Sequence, residues 1–263
     1  MENNIREKAK IKQILLSVAG LIVFFGLWQF AVKTELISSR SLSAPSDVLN
    51  TFFMKLTSIN PDGATLITHF LMSFKLAITG FAVAIIIGIP LGLLMGYFKA
   101  FDLYATPIFE IIRPIPPIAW IPIVILTLGI DMRAKVFIIF VAAFVPCVIN
   151  SYLGVKLTDQ TLINVSKTFG ASNWQTFTKI CIPSSMSMVF AGVRISLNSS
   201  WSTLVAAEML ASTQGLGYMI QMGRQLIRPD IIIVGMLTIG GTGALLSWLL
   251  GLLEKRVAPW RYK

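Results

Sequence analysis

Apolar runs long enough to cross a bilayer recur along this chain, separated by short polar or basic stretches. Ile14–Val32 is the first; Leu76–Tyr97, a proline-rich run from Arg113 towards Gly129, Lys135–Leu153, Ser184–Ala207 and Ile231–Leu253 follow. About 20 apolar residues cross the hydrocarbon core as a helix, and backbone groups there must be satisfied internally. The pattern therefore predicts an all-α integral membrane fold with about six transmembrane helices. Between the first two spans, Ala44-Pro45-Ser46-Asp47 opens a short amphipathic helix carrying Val48, Phe52, Phe53 and Leu56. Asn60-Pro61-Asp62-Gly63 then makes a turn.

Three spans carry polar or special positions. Gly80, Gly88, Gly92 and Gly96 share one face of the second span, where overlapping GxxxG spacings let another helix approach closely. Arg113 to Pro122 holds four prolines in nine residues, and no regular helix survives that density. Such a break is either part of a transport site or gate or a re-entrant structural kink, with Arg113, Pro116, Pro117 and Trp120 as the candidate pathway residues. The fifth span has a polar centre of Ser196, Asn198, Ser199, Ser200, Ser202 and Thr203 around Trp201. These hydroxyls either line a pore or pack helices and bond back to their own carbonyls. Arg194, the one charge well inside that span, either meets an anion or a dimer partner at an inner gate, or snorkels from a helix end. Glu208 is expected at the outer end, capping or pairing with Arg224 or Arg228 in a structural role. His69, the only histidine, is expected at the membrane interface, without a metal or catalytic partner.

Composition narrows the class. Of the 263 residues 55% are hydrophobic and 13% charged, with mean hydropathy +0.77, against about 25% charged in soluble domains. The net charge of +10 is spread over span ends instead of clustering on one motif, which fits anionic lipid and argues against nucleic acid. Arg6, Lys8, Lys10 and Lys12 precede an apolar run longer than a signal core, with no small-x-small cleavage site after it. Residues 1–13 therefore read as a cytoplasmic terminus and 14–32 as a retained span. With that orientation the inner segments hold thirteen basic residues (Lys99, Arg113, Lys156, Lys167, Lys179, Lys255, Arg256, Arg261 and Lys263 besides those four). The outer ones hold seven: Lys33, Arg40, Lys55, Arg133, Lys135, Arg224 and Arg228. Both termini are thus expected in the cytoplasm. Cys147 and Cys181 fall in a span and a cytoplasmic loop, a poor basis for a disulfide or metal site. No GxxxxGK[ST] and no Gly-Lys pair occur, so the chain lacks a phosphate-cradling loop.

Residues 154–183 form a polar, weakly basic loop on the expected cytoplasmic side. Within it Asn164–Pro183, NVSKTFGASNWQTFTKICIP, reads as two short helices hinged at Gly170, with Asp159 and Thr161 as N-caps and Pro183 unable to continue the second helix. Gly170, nine residues, Ile180, one residue and Ile182-Pro183 resemble the cytoplasmic loop of ABC importer permeases, whose pattern is Glu-Ala-Ala, three residues, Gly, nine residues, Ile, one residue, Leu-Pro. Here Asn164-Val165-Ser166 stands where that triad does, so no role is carried over for its acidic residue. Arg113-Pro114-Ile115-Pro116-Pro117 with Ala119-Trp120, Trp201 to Glu208, Gly215-Leu216-Gly217 and Pro259-Trp260 resemble the branch serving taurine and other sulfonates, nitrate and bicarbonate.

The resemblance implies a type I ABC importer permease fold with a core over 68–253 in a single domain of residues 1–263. It implies a bacterial inner-membrane homodimer working with two cytoplasmic ATPases, which bind ATP and magnesium, and an extracytoplasmic binding protein. The ATPase-coupling surface would comprise Asn164, Val165, Ser166, Phe169, Gly170, Ala171, Trp174, Phe177, Ile180, Ile182 and Pro183. The chain itself would hold no cofactor and catalyse nothing. An ion-coupled secondary transporter is the alternative, but it would want intramembrane carboxylates, and the spans hold almost none apart from Glu110 near an end. A membrane-embedded enzyme would need His, Asp or Glu clusters inside the spans, and these are absent.

Overall fold

The structure, a computed structural model, describes residues 2–257, without the side chains of residues 2–11, 14, 211 and 257. Pro259-Trp260, Arg261 and Lys263 lie outside the described residues, as do the side chains of Arg6, Lys8 and Lys10. Among the described residues there is helix and no strand. Five helices are long and apolar enough to span: Leu15–Lys33, Leu66–Tyr97, Met132–Lys156, Asn173–Leu210 and Pro229–Arg256. A sixth candidate is a bent pair, Lys99–Ile112 with Pro117–Leu128. The chain folds into two compact units.

The first unit comprises the chain up to Ile67 together with Met219–Leu237. Helix α1 (Glu2–Lys33) exposes Leu15, Leu21, Phe24 and Phe30, as a lipid-facing span does. The Gln29 amide joins it to α2 (Pro45–Thr57): Nε2 donates to Ser46 Oγ at 3.0 Å, and the Ser46 N–H donates to Gln29 Oε1 at 3.1 Å. The expected apolar face of α2 is only partly inward. Val48 is buried and Phe52 and Leu56 half-buried, but Phe53 is exposed. The buried stripe instead includes Thr51 and Lys55. Lys55, counted from the sequence among the outer basic residues, is fully buried, ion-paired with Asp62 and donating to the Ala64 carbonyl at 2.6 Å. Thr51 donates to Asp230 Oδ2 at 2.6 Å, and Arg228 holds the same carboxylate through Nη2 at 2.6 Å and Nε at 2.9 Å. Hydrogen bonding to Asp230 raises the Arg228 pKa above its ordinary value. Arg228 is thus the partner of Asp230 and not of Glu208.

The second unit spans Thr68–Tyr218 and the residues from Thr238. The glycine face of α3 (Leu66–Tyr97) lies against α6 (Met132–Lys156), as the spacing predicts. A Cβ on Gly80 would fall 2.6 Å from Ile139 Cγ2, one on Gly88 2.9 Å from Cys147 Cβ, and one on Gly96 2.7 Å from Val155 Cβ. Helix α6 also packs along α9 (Ile182–Ala211), where Gly192 admits Asn150.

The proline-rich break is present. Helix α4 (Lys99–Ile112) stops at Arg113, a single 3-10 turn covers Pro117–Trp120, and α5 (Ile121–Leu128) ends at Gly129 with φ +75°. The two arms meet at 84°. The helical arm before the prolines was not legible as a separate element.

Pro183 behaves differently from the sequence reading. It does not end the second short helix of the polar loop. That helix, α8 (Asn173–Thr176), runs through a π-turn at Phe177–Cys181 into α9, with Pro183 in the first turn of α9. Within a regular α-helix a proline ring clashes with the carbonyl four residues back. Here the Ile182 N–H donates to the Phe177 carbonyl, five residues back, and the widened turn accommodates the ring. Cys181 is accordingly a core residue, packed with Leu93, Val155, Phe177, Val189 and Val193, and not a loop thiol.

Candidate functional site

The middles of α6 and α9 and the proline-rich turn enclose a cavity of about 540 Å³. Helix α6 contributes Val141, Ala142, Val145 and Pro146, and the turn contributes Arg113, Ile115 and Pro117. From α9 come Ile195, Asn198, Ser199, Ser202 and Thr203. Spacings of three and four residues put the α9 polar groups on one helical face. Six of the residues singled out in the sequence thus meet in one wall. The remaining polar residues of the cluster turn elsewhere. Ser196 is fully buried and donates to the Ala143 carbonyl at 2.7 Å, with Cys147 Sγ at 3.0 Å. Asn198, Ser199, Ser202 and Thr203 thus face a cavity, while Ser196 packs α9 on α6.

Arg113 lines this cavity together with residues from the middles of α6 and α9. Its Nη1 donates to Glu110 Oε1 at 2.7 Å. Trp201 is a core residue: it packs with Leu76, Ala77, Ile139 and Leu204 and donates to the Ile239 carbonyl at 2.9 Å. Trp120 meets Phe137 edge-on, and neither it nor Pro116 lines the cavity. Arg194 pairs within its own chain with Glu254 at 2.7 Å, which satisfies the charge without a substrate or a dimer partner.

Glu208, Ser73 and His69 form a clamp on the start of α10 (Leu216–Gln225), a helix that the sequence reading did not assign. Three successive N–H groups donate to it: Gly215 to His69 Nδ1 at 3.0 Å, Leu216 to Ser73 Oγ at 2.7 Å, and Gly217 to Glu208 Oε2 at 2.9 Å. Ser73 also donates to Glu208 Oε1 at 2.7 Å. These are the amides a helix leaves unsatisfied at its N-terminus, where a carboxylate is also favoured by the dipole. All three side chains are fully buried. His69 is thus buried within the protein on a backbone amide, and Glu208 acts on backbone, not on Arg224 or Arg228. Ser73 was overlooked, although it lies one helical turn after His69. Gly217 is required by this approach, since a Cβ there would sit 2.6 Å from the Val205 carbonyl and 2.8 Å from Glu208 Cβ. Glu208→Ala strands a buried N–H and a buried hydroxyl, a loss of about 3 kcal/mol. It is expected to lower the melting temperature clearly in a detergent thermal melt, with Glu208→Gln, which keeps an acceptor, losing less.

The polar loop is built as two capped helices on a glycine. Asp159 caps α7 (Gln160–Thr168), its side chain accepting from the Thr161 N–H at 2.8 Å, and Ser172 and Gln175 form a reciprocal capping box on α8. Between them Gly170, at φ +77°, donates to the Lys167 carbonyl at 2.9 Å, and Ala171 donates to the Ser166 carbonyl at 3.0 Å. These two bonds are the glycine-dependent helix stop with paired C-terminal contacts. Ser166 Oγ lies 3.0 Å from Thr176 Oγ1 and braces α7 on α8. Phe177 is buried against Tyr97 and Phe98, with ring centroids at 5.2 and 5.3 Å, so the loop is rooted in the span core. Ile180 and Ile182 are half-buried, Asn164 and Val165 exposed, and Pro183 exposed. Phe169 and Trp174 stand out, 86% and 61% exposed.

Comparison with known proteins follows the same lines. Residues 88–259 match the family described as binding-protein-dependent transport system inner membrane component. The taurine transport system permease protein TauC of Escherichia coli (strain K12) is 33% identical over 252 residues, covering 95% of this chain and 90% of that protein. The nitrate import permease protein NrtB of Synechocystis sp. (strain ATCC 27184 / PCC 6803 / Kazusa) is 32% identical over 251 residues, covering 94% and 90%. Among solved structures, one of inward-facing conformations of the MetNI methionine ABC transporter aligns with TM-score 0.62 at 18% identity. It covers 74% of this chain and 94% of that one. The fold is that of the type I ABC importer permeases.

Proposed function

The chain belongs to the binding-protein-dependent transport system inner membrane component family, and from that membership we propose that it forms, with a second copy, the path by which a small anion enters the cell. It is a multi-pass inner-membrane permease of the sulfonate, taurine and nitrate branch. The observation that carries the anion reading is the cavity wall, where one guanidinium, Arg113, stands among Asn198, Ser199, Ser202 and Thr203. Hydroxyl and amide groups contact an oxyanion without holding it tightly, and a single cation sets the sign. Taurine-like sulfonates, nitrate and bicarbonate all fit that chemistry.

Energy comes from a separate pair of cytoplasmic ATPases, which bind ATP and magnesium and dock on the α7–α8 segment through Phe169 and Trp174. Both termini face the cytoplasm, on the side of that segment. An extracytoplasmic binding protein delivers the anion. The ion-coupled alternative is disfavoured because Glu208, a buried carboxylate of the spans, is committed to holding α10. Reconstituted with its ATPase and binding protein, the permease is expected to import labelled taurine or nitrate in an ATP-dependent way, and the permease alone to hydrolyse no ATP. Uptake driven by an ion gradient without ATP, or hydrolysis by the chain free of contaminating ATPase, would overturn this reading.

A further inference from the structure

Glu110 and Arg113 close the last turn of α4 as an ion pair at 2.7 Å, with both side chains about half exposed, 50% and 47%. The pair is commonplace as a helix ending, since Glu three residues before Arg also suits the helix dipole. What sets it apart is its place. Arg113 is a wall residue of the cavity, and three hydroxyls that line it with Arg113, on Ser199, Ser202 and Thr203, make no side-chain hydrogen bond among the described residues. A guanidinium carries five donors in a fixed fork, more than one carboxylate oxygen can occupy. Arg113 is therefore both already neutralised and still able to receive an oxyanion.

We propose that Glu110 is the anion's rival for Arg113, an internal counter-ion that an entering anion displaces and that returns when it leaves. The proposal rests on the anion reading of the cavity. An arginine at mid-span without a counter-ion is costly, so an empty pathway needs Glu110. An arginine without a rival would hold a desolvated anion too firmly to release it, and passage requires a site weak enough to leave. The pair thus keeps the cavity attractive to anions but never sticky.

The charge in the cavity can be read without knowing the cargo. In the transporter assembled with its ATPase, Ser202→Cys is reacted with an anionic sulfonatoethyl and a cationic trimethylammonioethyl methanethiosulfonate of similar size, and the ratio of rates is taken. Cys147 and Cys181 are buried, and the parent without Ser202→Cys gives the background. Glu110→Gln is expected to raise the anionic-to-cationic ratio about fivefold, the scale of a part-exposed ion pair. Arg113→Gln is expected to lower it similarly, and the double variant to return it near the parent value. Glu110→Asp, which keeps the charge, should leave it unchanged and shows that the site is folded.

In proteoliposomes at saturating binding protein, Glu110→Gln should lower both the apparent KM and the maximal rate for whichever of nitrate or taurine the parent imports, because a tighter site releases slowly. An unchanged labelling ratio in Glu110→Gln overturns the proposal, and so does a raised KM, which would make Glu110 a helper instead of a rival. A parent that imports neither anion sinks the functional reading on its own. The labelling ratio still decides whether Glu110 offsets Arg113.

Discussion

Gly170→Val is expected to give a protein that inserts and pairs normally but no longer couples to ATP hydrolysis. Gly170 sits at φ +77°, a region that costs a residue bearing a Cβ about 1–2 kcal/mol, and a β-branched one more. No heavy atom lies within 4 Å of where its Cβ would stand, so valine clashes with nothing in the body of the protein. The penalty is therefore local. It is relieved by re-angling the link between α7 and α8, which breaks the bonds to the Lys167 and Ser166 carbonyls and turns Phe169 away from Trp174. Substrate-stimulated hydrolysis in liposomes should fall about tenfold or more, the factor that ~1.4 kcal/mol of lost docking removes, while expression and dimerisation persist. Asn164→Ala should cost much less, because its side chain only accepts from Gln160 at the surface, at 3.2 Å. A Gly170→Val transporter that assembles and turns over like the parent would show that the segment does not couple.

Gly92→Val should act on folding instead. Its Cβ would stand 2.8 Å from Ser151 Cβ and 3.1 Å from the Tyr152 nitrogen, and it would press on the Val148 carbonyl. Two of these three neighbours are backbone, which cannot swing aside as a flexible side chain does. Overpacking a close contact costs about 1–3 kcal/mol, and more where the surroundings cannot give. For a chain of this length each kcal/mol is worth about 2–4 °C, so the melting temperature should drop by about 10 °C or the monodisperse species be lost. Gly26→Val, in α1, meets nothing within 4 Å and is the control. Equal melting of the two variants would remove the α3–α6 contact from the account.

The contrast between what the sequence disclosed and what it hid follows the range of the interactions. The α3 glycines were legible because close helix packing leaves a four-residue spacing in the chain itself. Gly170 was legible for a similar reason, since a helix stop of this kind is local. The cavity was half legible: the polar run in α9 could be seen, but which hydroxyls face inward depends on the phase of α9 against α6. Ser196 and Trp201 went to the core on that account. The partners of Lys55 and Glu208 were hidden because burial of a charge depends on groups that only the fold supplies, Asp62 across a turn and the α10 amides across three helices. The bond between His69 and the Gly215 amide was hidden for the same reason. The ion pair of Arg194 with Glu254 joins residues sixty positions apart, and no periodicity announces it.

The π-turn at Phe177–Cys181 has a further consequence, which concerns counting. Each residue of a regular helix advances the side-chain direction by about 100°. A turn closed five residues back takes in one residue more than a turn closed four back. The exposed Trp174 and the cavity-lining Asn198 to Thr203 belong to one continuous helical rod, yet their directions are offset by that single additional residue. Rod and handle are thus clocked independently of what either is made of. A chain of the same length closed four residues back throughout would keep every side chain it needs at both ends, and would still point its tryptophan roughly a quarter-circle away.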